Sequence, residues 1–218
     1  MDTYLSLLGF IVIMVGTPGP ANLLLTIGGV QFGLSRCLLF ILGLIIGKLV
    51  LNIIIGLGLG VFVTNYPWIN LALKFTSAAY MIWLSVTSWS IDPKAKVEKS
   101  GSSKFSFYKG LIVHPLNPKA WVMCLIAWTA FAPKLGTASE QLVIVCLSFI
   151  LCQLVLHSAW CWVGEKLRYL PFNRQKTSRF LIVLTVIVII WAVAITCLLY
   201  TSDAADEGLG VDLGGRRI

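Results

Sequence analysis

Carboxylates are almost missing from the apolar parts of this chain. Charged residues make up 12% of its 218 residues, against about one quarter in soluble domains. The acids before residue 197 are Asp2, Asp92, Glu98, Glu140 and Glu165, and none falls near the middle of an apolar run. The absence of a buried acidic pair argues against divalent-metal transport and leaves no carboxylate to carry protons across an apolar interior. Histidine is scarce too, with only His114 and His157. Two histidines and no intramembrane acid leave little from which to build a catalytic constellation, so enzymatic chemistry is not expected. The six cysteines, at 37, 124, 146, 152, 161 and 197, have no paired short spacing. Neither a zinc site nor a disulfide framework is indicated, and no cofactor or metal is expected.

What the chain has instead is apolar length. Apolar residues make up 58% of it and the mean hydropathy is +0.89. Crossing a hydrocarbon core of about 30 Å takes about 20 helical residues. Six runs of that order occur, at about 5–30, 37–62, 68–89, 111–132, 142–163 and 180–200. They are continuously apolar rather than alternating, which favours helices over barrel strands. The expectation is an all-α polytopic membrane protein with six transmembrane helices. The first run lacks the basic start of a signal peptide, since only Asp2 is charged before Arg36, and it reads as a retained helix.

The net charge of +8 does not point to nucleic acid, because its distribution follows the runs. Arg36 follows the first run; Lys94, Lys96, Lys99, Lys104 and Lys109 follow the third; Lys166, Arg168, Arg174, Lys176 and Arg179 follow the fifth. The intervening loops hold only Lys134. By the positive-inside rule the odd-numbered loops are cytoplasmic and both termini lie outside.

Residues 197–218 differ in character: Cys-Leu-Leu-Tyr-Thr-Ser-Asp-Ala-Ala-Asp-Glu leads into a glycine-rich end with Arg216 and Arg217. This run resembles a translated sequencing adapter and is set apart from functional reasoning. The rest, 1–196, reads as a single transmembrane domain. A basic loop at about 91–108 divides it into repeats of about 1–90 and 109–196, each with three runs. An odd number of crossings inserts the second repeat upside down, the inverted-repeat plan of many secondary transporters.

Both repeats carry an interruption in the first run. Gly-Thr-Pro-Gly-Pro-Ala-Asn occupies 16–22 and His-Pro-Leu-Asn-Pro-Lys-Ala occupies 114–120. Proline lacks the N–H that would bond the carbonyl four residues back. Pro18, Pro20, Pro115 and Pro118 therefore withdraw helical partners from the carbonyls of Met14, Gly16, Leu111 and His114. Such groups are expected to face a midplane cavity rather than lipid. Half-helix N-termini attract anions and free carbonyls attract cations, so a zwitterion suits both. Thr17, Pro18, Gly19, Pro20 and Asn22, with Asn117, Pro118 and Lys119, are the candidate substrate-binding residues.

Three segments carry a family resemblance. Thr-Pro-Gly-Pro-Ala-Asn (17–22) followed by Phe32-Gly33, Ala-Leu-Lys-Phe-Thr-Ser-Ala-Ala-Tyr-Met-Ile-Trp-Leu (72–84) and Leu-Asn-Pro-Lys-Ala (116–120) together resemble the LysE/RhtB amino-acid exporter family in order and spacing. The resemblance covers residues 1–196 and implies a six-helix inner-membrane exporter of amino acids driven by the proton gradient. Ala21, and Thr76 with Ser77, depart from the family pattern and leave the substrate open. Cys161-Trp162 is similar to the cysteine and O-acetylserine exporter branch.

Other polar groups fall inside the runs. Lys48, near the middle of the second, would cost about 2.5–3.5 kcal/mol at the bilayer centre and is expected to face the bundle interior. It serves either as a counter-charge for a substrate carboxylate, with Asn52 one turn on, or as a partner for carbonyls of a broken helix. Lys74 is expected to snorkel outward. Gln153, His157 and Cys161 recur every four residues on one helix face. That stripe is either a helix–helix seam or, through His157, a proton relay. Gly43 and Gly47 form a small-x-x-x-small pair for close helix packing. The expected partners are a small zwitterionic amino acid and the lipid bilayer; homodimerisation stays open.

Overall fold

In the computed structural model, the described residues are 2–59, 66–89, 105–170 and 173–214. Among them the chain is helical without strands. Most of the basic loop, with Lys94, Lys96, Lys99 and Lys104, lies outside the described residues, as does the side chain of Lys74.

The helices are α1 (Asp2–Gly16), α2 (Pro20–Phe32), α3 (Leu34–Ile54), α4 (Pro67–Val86), α5 (Phe107–Val113), α6 (Pro118–Ile126), α7 (Ala138–Leu167) and α8 (Arg174–Gly214). A wide turn, Ile55–Leu59, extends α3, and another, Ala127–Phe131, extends α6. Both expected breaks are present: α1 and α2 meet at 55°, and α5 meets the segment from Pro118 at 61°. Local chemistry explains the restarts. Gly19 is extended and Pro20 begins α2; Asn117 is extended, accepts a bond from the Lys119 N–H, and Pro118 begins α6. Proline suits a first helical position because its missing N–H would lack an intrahelical partner there in any case. No proline interrupts α7, which starts from a capping box between Thr137 and Glu140.

Among the described residues, three helices are long and apolar enough to cross a membrane: Leu34–Gly58, Ala138–Leu167 and Arg174–Ala194. Counting each bent pair as one span gives five. The remaining expected crossing corresponds to α4, whose apolar stretch Leu71–Val86 falls in a shorter class. α8 runs through the compositional change at residue 197 without a break.

At the centre stands α2, every residue of which is buried, its polar Asn22, Thr26 and Gln31 each being hydrogen-bonded. It packs against α3, α7 and α8. Around it, outward faces stay apolar, with Leu39, Leu151, Val155, Phe180 and Ile187 among the exposed large side chains. Hydrocarbon, not water, is the solvent such faces suit.

Two backbone seams tighten one end of the bundle. Between α2 and α7, Gly29 lies against the Cys161 carbonyl and Gly164 against that of Thr26. Between α3 and α5, Gly43 faces the Phe107 carbonyl, Gly47 that of Leu111, and Gly110 that of Phe40. A Cβ at any of these would overlap the facing oxygen. Gly43 and Gly47 thus do what their spacing suggests, against the short helix α5. Phe105 joins the seams, its ring centroid 5.6 Å from that of Phe32 and 4.9 Å from that of Phe40. Both seams lie between the breaks and the ends bearing Arg36, Lys109 and Lys166.

Candidate functional site

The two breaks come together. From the second, Lys119 reaches the first: its Nζ donates to Thr17 Oγ1 at 2.8 Å and lies 3.4 Å from the Thr17 carbonyl oxygen. Gly19 lies beside that same ammonium, where a Cβ would make an ordinary contact with Nζ at 3.4 Å.

The freed carbonyls do not face an open space. The Thr17 hydroxyl donates to Met14 O at 3.1 Å, and the Trp160 indole to Gly16 O at 3.1 Å. The Asn117 N–H donates to His114 O at 3.0 Å, and the Trp121 indole to Pro115 O at 2.7 Å. The expectation that Met14 and Gly16 turn carbonyls to a cavity is therefore corrected. Dry orphan carbonyls are costly, and side chains from this and other helices satisfy them. What stays accessible at the breaks is side-chain and half-helix chemistry. Pro18, Gly19, Pro20, Asn117, Pro118 and Lys119 all line one partly open cavity of about 440 Å³, whose other lining residues come from α4, α6 and α8.

Behind it lies a smaller cavity of about 30 Å³, lined in part by Gly19, Asn22, His114, Lys119, Gln153 and His157. It has room for a water. Asn22 Nδ2 donates to Val15 O at 2.7 Å and to Thr17 O at 2.9 Å. Carbonyls only accept, which fixes the orientation of this amide and leaves Oδ1 to accept from His157 Nδ1 at 3.1 Å. Neutral His157 then has only an acceptor at Nε2. That atom lies 3.3 Å from His114 Nε2, so His114 Nε2 must carry the proton between them. Gln153 lies 3.4 Å from the same His114 nitrogen; with its amide oxygen turned toward it, it accepts as well. His114 Nδ1 is buried and has no hydrogen-bond partner among the described residues.

Gln153 and His157, two of the three members of the polar stripe, thus meet His114 of the second break and Asn22 of α2 in one helix–helix hydrogen-bonding seam. His114 was the residue not singled out. Its signal was its place directly before Pro115, as the only other histidine. Cys161, the third member of the stripe, packs instead against Gly29. Lys48 lines neither cavity. It is buried, its Nζ donates to Ala120 O at 2.8 Å and it stands 4.7 Å from the Phe149 ring centre. Of its two anticipated roles, the geometry realises the partner for a broken helix's carbonyl. Asn52 bonds Lys48 O at 3.2 Å and accepts from the Trp128 indole at 3.3 Å.

Comparison with known proteins places the chain among membrane proteins. A family model described as LysE type translocator matches residues 12–201. The chain is 27% identical over 157 residues to the uncharacterized membrane protein YrhP of Bacillus subtilis (strain 168), covering 66% of this chain and 75% of that one. It is 25% identical over 118 residues to an uncharacterized membrane protein of Vibrio cholerae serotype O1, covering 52% of this chain and 57% of the other. No solved structure matches.

Proposed function

Because the chain belongs to the LysE type translocator family, we propose that this membrane protein exports a small amino acid or amino-acid derivative across the bacterial inner membrane by proton-coupled alternating access. The observation that carries the reading is the bond from Lys119 to Thr17, which joins the two breaks at the wall of the larger cavity. An ammonium has three donors, so Lys119 retains capacity for a carboxylate. Thr17, Asn117 and the half-helix starts at Pro20 and Pro118 supply the remaining polar groups.

In this mechanism the chain crosses six times, as two inverted repeats with the termini outside and the basic loops in the cytoplasm. Both glycine seams then close the cytoplasmic half. Export requires them to part, so that cargo enters at the breaks, and to close again behind it. Proton loading falls to His114 Nδ1, with His157 holding its neighbour's proton rather than receiving the new one. A charge appearing on His114 lies in the same polar network as Asn22, which ties down the first break. Protonation and the geometry of the break are coupled by that contact.

The test is export from proteoliposomes holding the full chain. Pro18→Ala and Asn117→Ala are each expected to reduce amino-acid efflux at least tenfold while purifying as folded protein. Unchanged efflux in both variants overturns the site. Efflux of a cation or of a nonzwitterionic metabolite in place of any amino acid overturns the cargo class.

A further inference from the structure

Resting on the export reading, we infer that the cargo carries a large apolar side chain, which lies in the cavity between α4, α6 and α8 with its carboxylate at Lys119. The cavity has about 440 Å³, within the range of about 300–1,000 Å³ typical of small-molecule sites. Its far walls are Leu73, Ala78 and Met81 of α4, Leu125 of α6 and Ile189 of α8. Among the described lining residues Lys119 is the one charged group, and there is no acid. The indole N–H of Trp121, another wall residue, is already committed to Pro115 O at 2.7 Å, so the ring offers the cavity mainly its apolar surface.

This arrangement sorts cargo by side chain. A cationic side chain would bring an ammonium or guanidinium against apolar walls with no carboxylate to meet it, and burying an unpaired charge is strongly unfavourable. A short polar side chain would leave most of the space empty or wet and gain no apolar burial. Each methylene seated in an apolar pocket is worth about 10–200-fold in discrimination. Leucine, methionine and phenylalanine carry side chains that gain burial against these apolar walls; lysine, serine and cysteine do not. The similarity of Cys161-Trp162 to a cysteine-exporting branch therefore does not extend to the cavity, since Cys161 is packed against α2 and lines neither cavity.

Counterflow tests the inference. Full-length protein is reconstituted, and labelled leucine is exchanged against unlabelled leucine, methionine, phenylalanine, alanine, serine, cysteine or lysine. Leucine, methionine and phenylalanine are expected to compete at least tenfold better than serine, cysteine or lysine. Ala78→Phe, which narrows the cavity from α4, is expected to reduce leucine exchange at least tenfold. Equal competition by lysine or serine overturns the inference and leaves the export reading standing. So does leucine exchange undiminished in Ala78→Phe, which would assign the cavity to a lipid chain. If Ala78→Phe does not fold, the wild-type selectivity series decides alone. Absence of exchange with every amino acid overturns the export reading itself.

Discussion

Replacing Asn22 by alanine removes three hydrogen bonds at one point: two donated to Val15 O and Thr17 O, and one accepted from His157. Asn22 is 4% exposed, so water does not readily replace it. Side-chain bonds in membrane proteins average about 0.6 kcal/mol, which sets a floor of about 2 kcal/mol for three. The Val15 carbonyl left dry costs about 1–3 kcal/mol, whereas the Thr17 carbonyl keeps Lys119 Nζ at 3.4 Å. The expected destabilisation is thus about 2–3 kcal/mol. For a chain of this size that corresponds to a fall in Tm of at least about 4 °C, read by thermal unfolding of the purified protein in detergent. Asn22→Asp separates the donors from the shape. It keeps an acceptor for His157 but sets carboxylate oxygens against two carbonyls, so it should be at least as damaging as alanine. A loss below about 0.5 kcal/mol for Asn22→Ala, the size of a neutral surface change, would refute the view that this side chain holds the first break together. An Asn22→Asp protein as stable as wild type would refute the assignment of its donors.

Two further outcomes are expected. Gly47→Val should prevent stable folding or strongly reduce yield, because any Cβ there overlaps the Leu111 carbonyl and the backbones must separate; a normal yield with an unshifted Tm would show that the seam does not require contact. His114→Gln should remove acceleration of transport by an imposed pH gradient while leaving leucine counterflow, which moves no net protons; retained pH-gradient drive would exclude His114 as the proton carrier.

Much of the architecture could be read directly. The length and continuity of the apolar runs follow from the hydrocarbon thickness, and both breaks follow from what proline removes, so α1–α2 and α5–α6 end and restart where Pro20 and Pro118 stand. The close approach at Gly43 and Gly47 was legible as a need for small residues, though not as contact with α5. The site was legible only in part. Pro18, Asn22, Asn117 and Lys119 were recognisable because each sits at or beside a break. His114 and Trp160 were not, because their roles depend on partners far along the chain: His114 meets His157 across 43 residues, and Trp160 meets Gly16 across 144.

The sequence by itself determined where the helices must be interrupted and which backbone groups would lack helical partners, because those are properties of covalent structure and of neighbours within one turn. Only the tertiary structure decided how that need is met. It placed Thr17, Asn22 and Trp160 on the first break's carbonyls, sent Lys48 to Ala120 rather than to a cavity, and left Lys119 joining the two breaks. A dry interior requires every polar group to find a partner, but which partner it finds depends on how the helices pack.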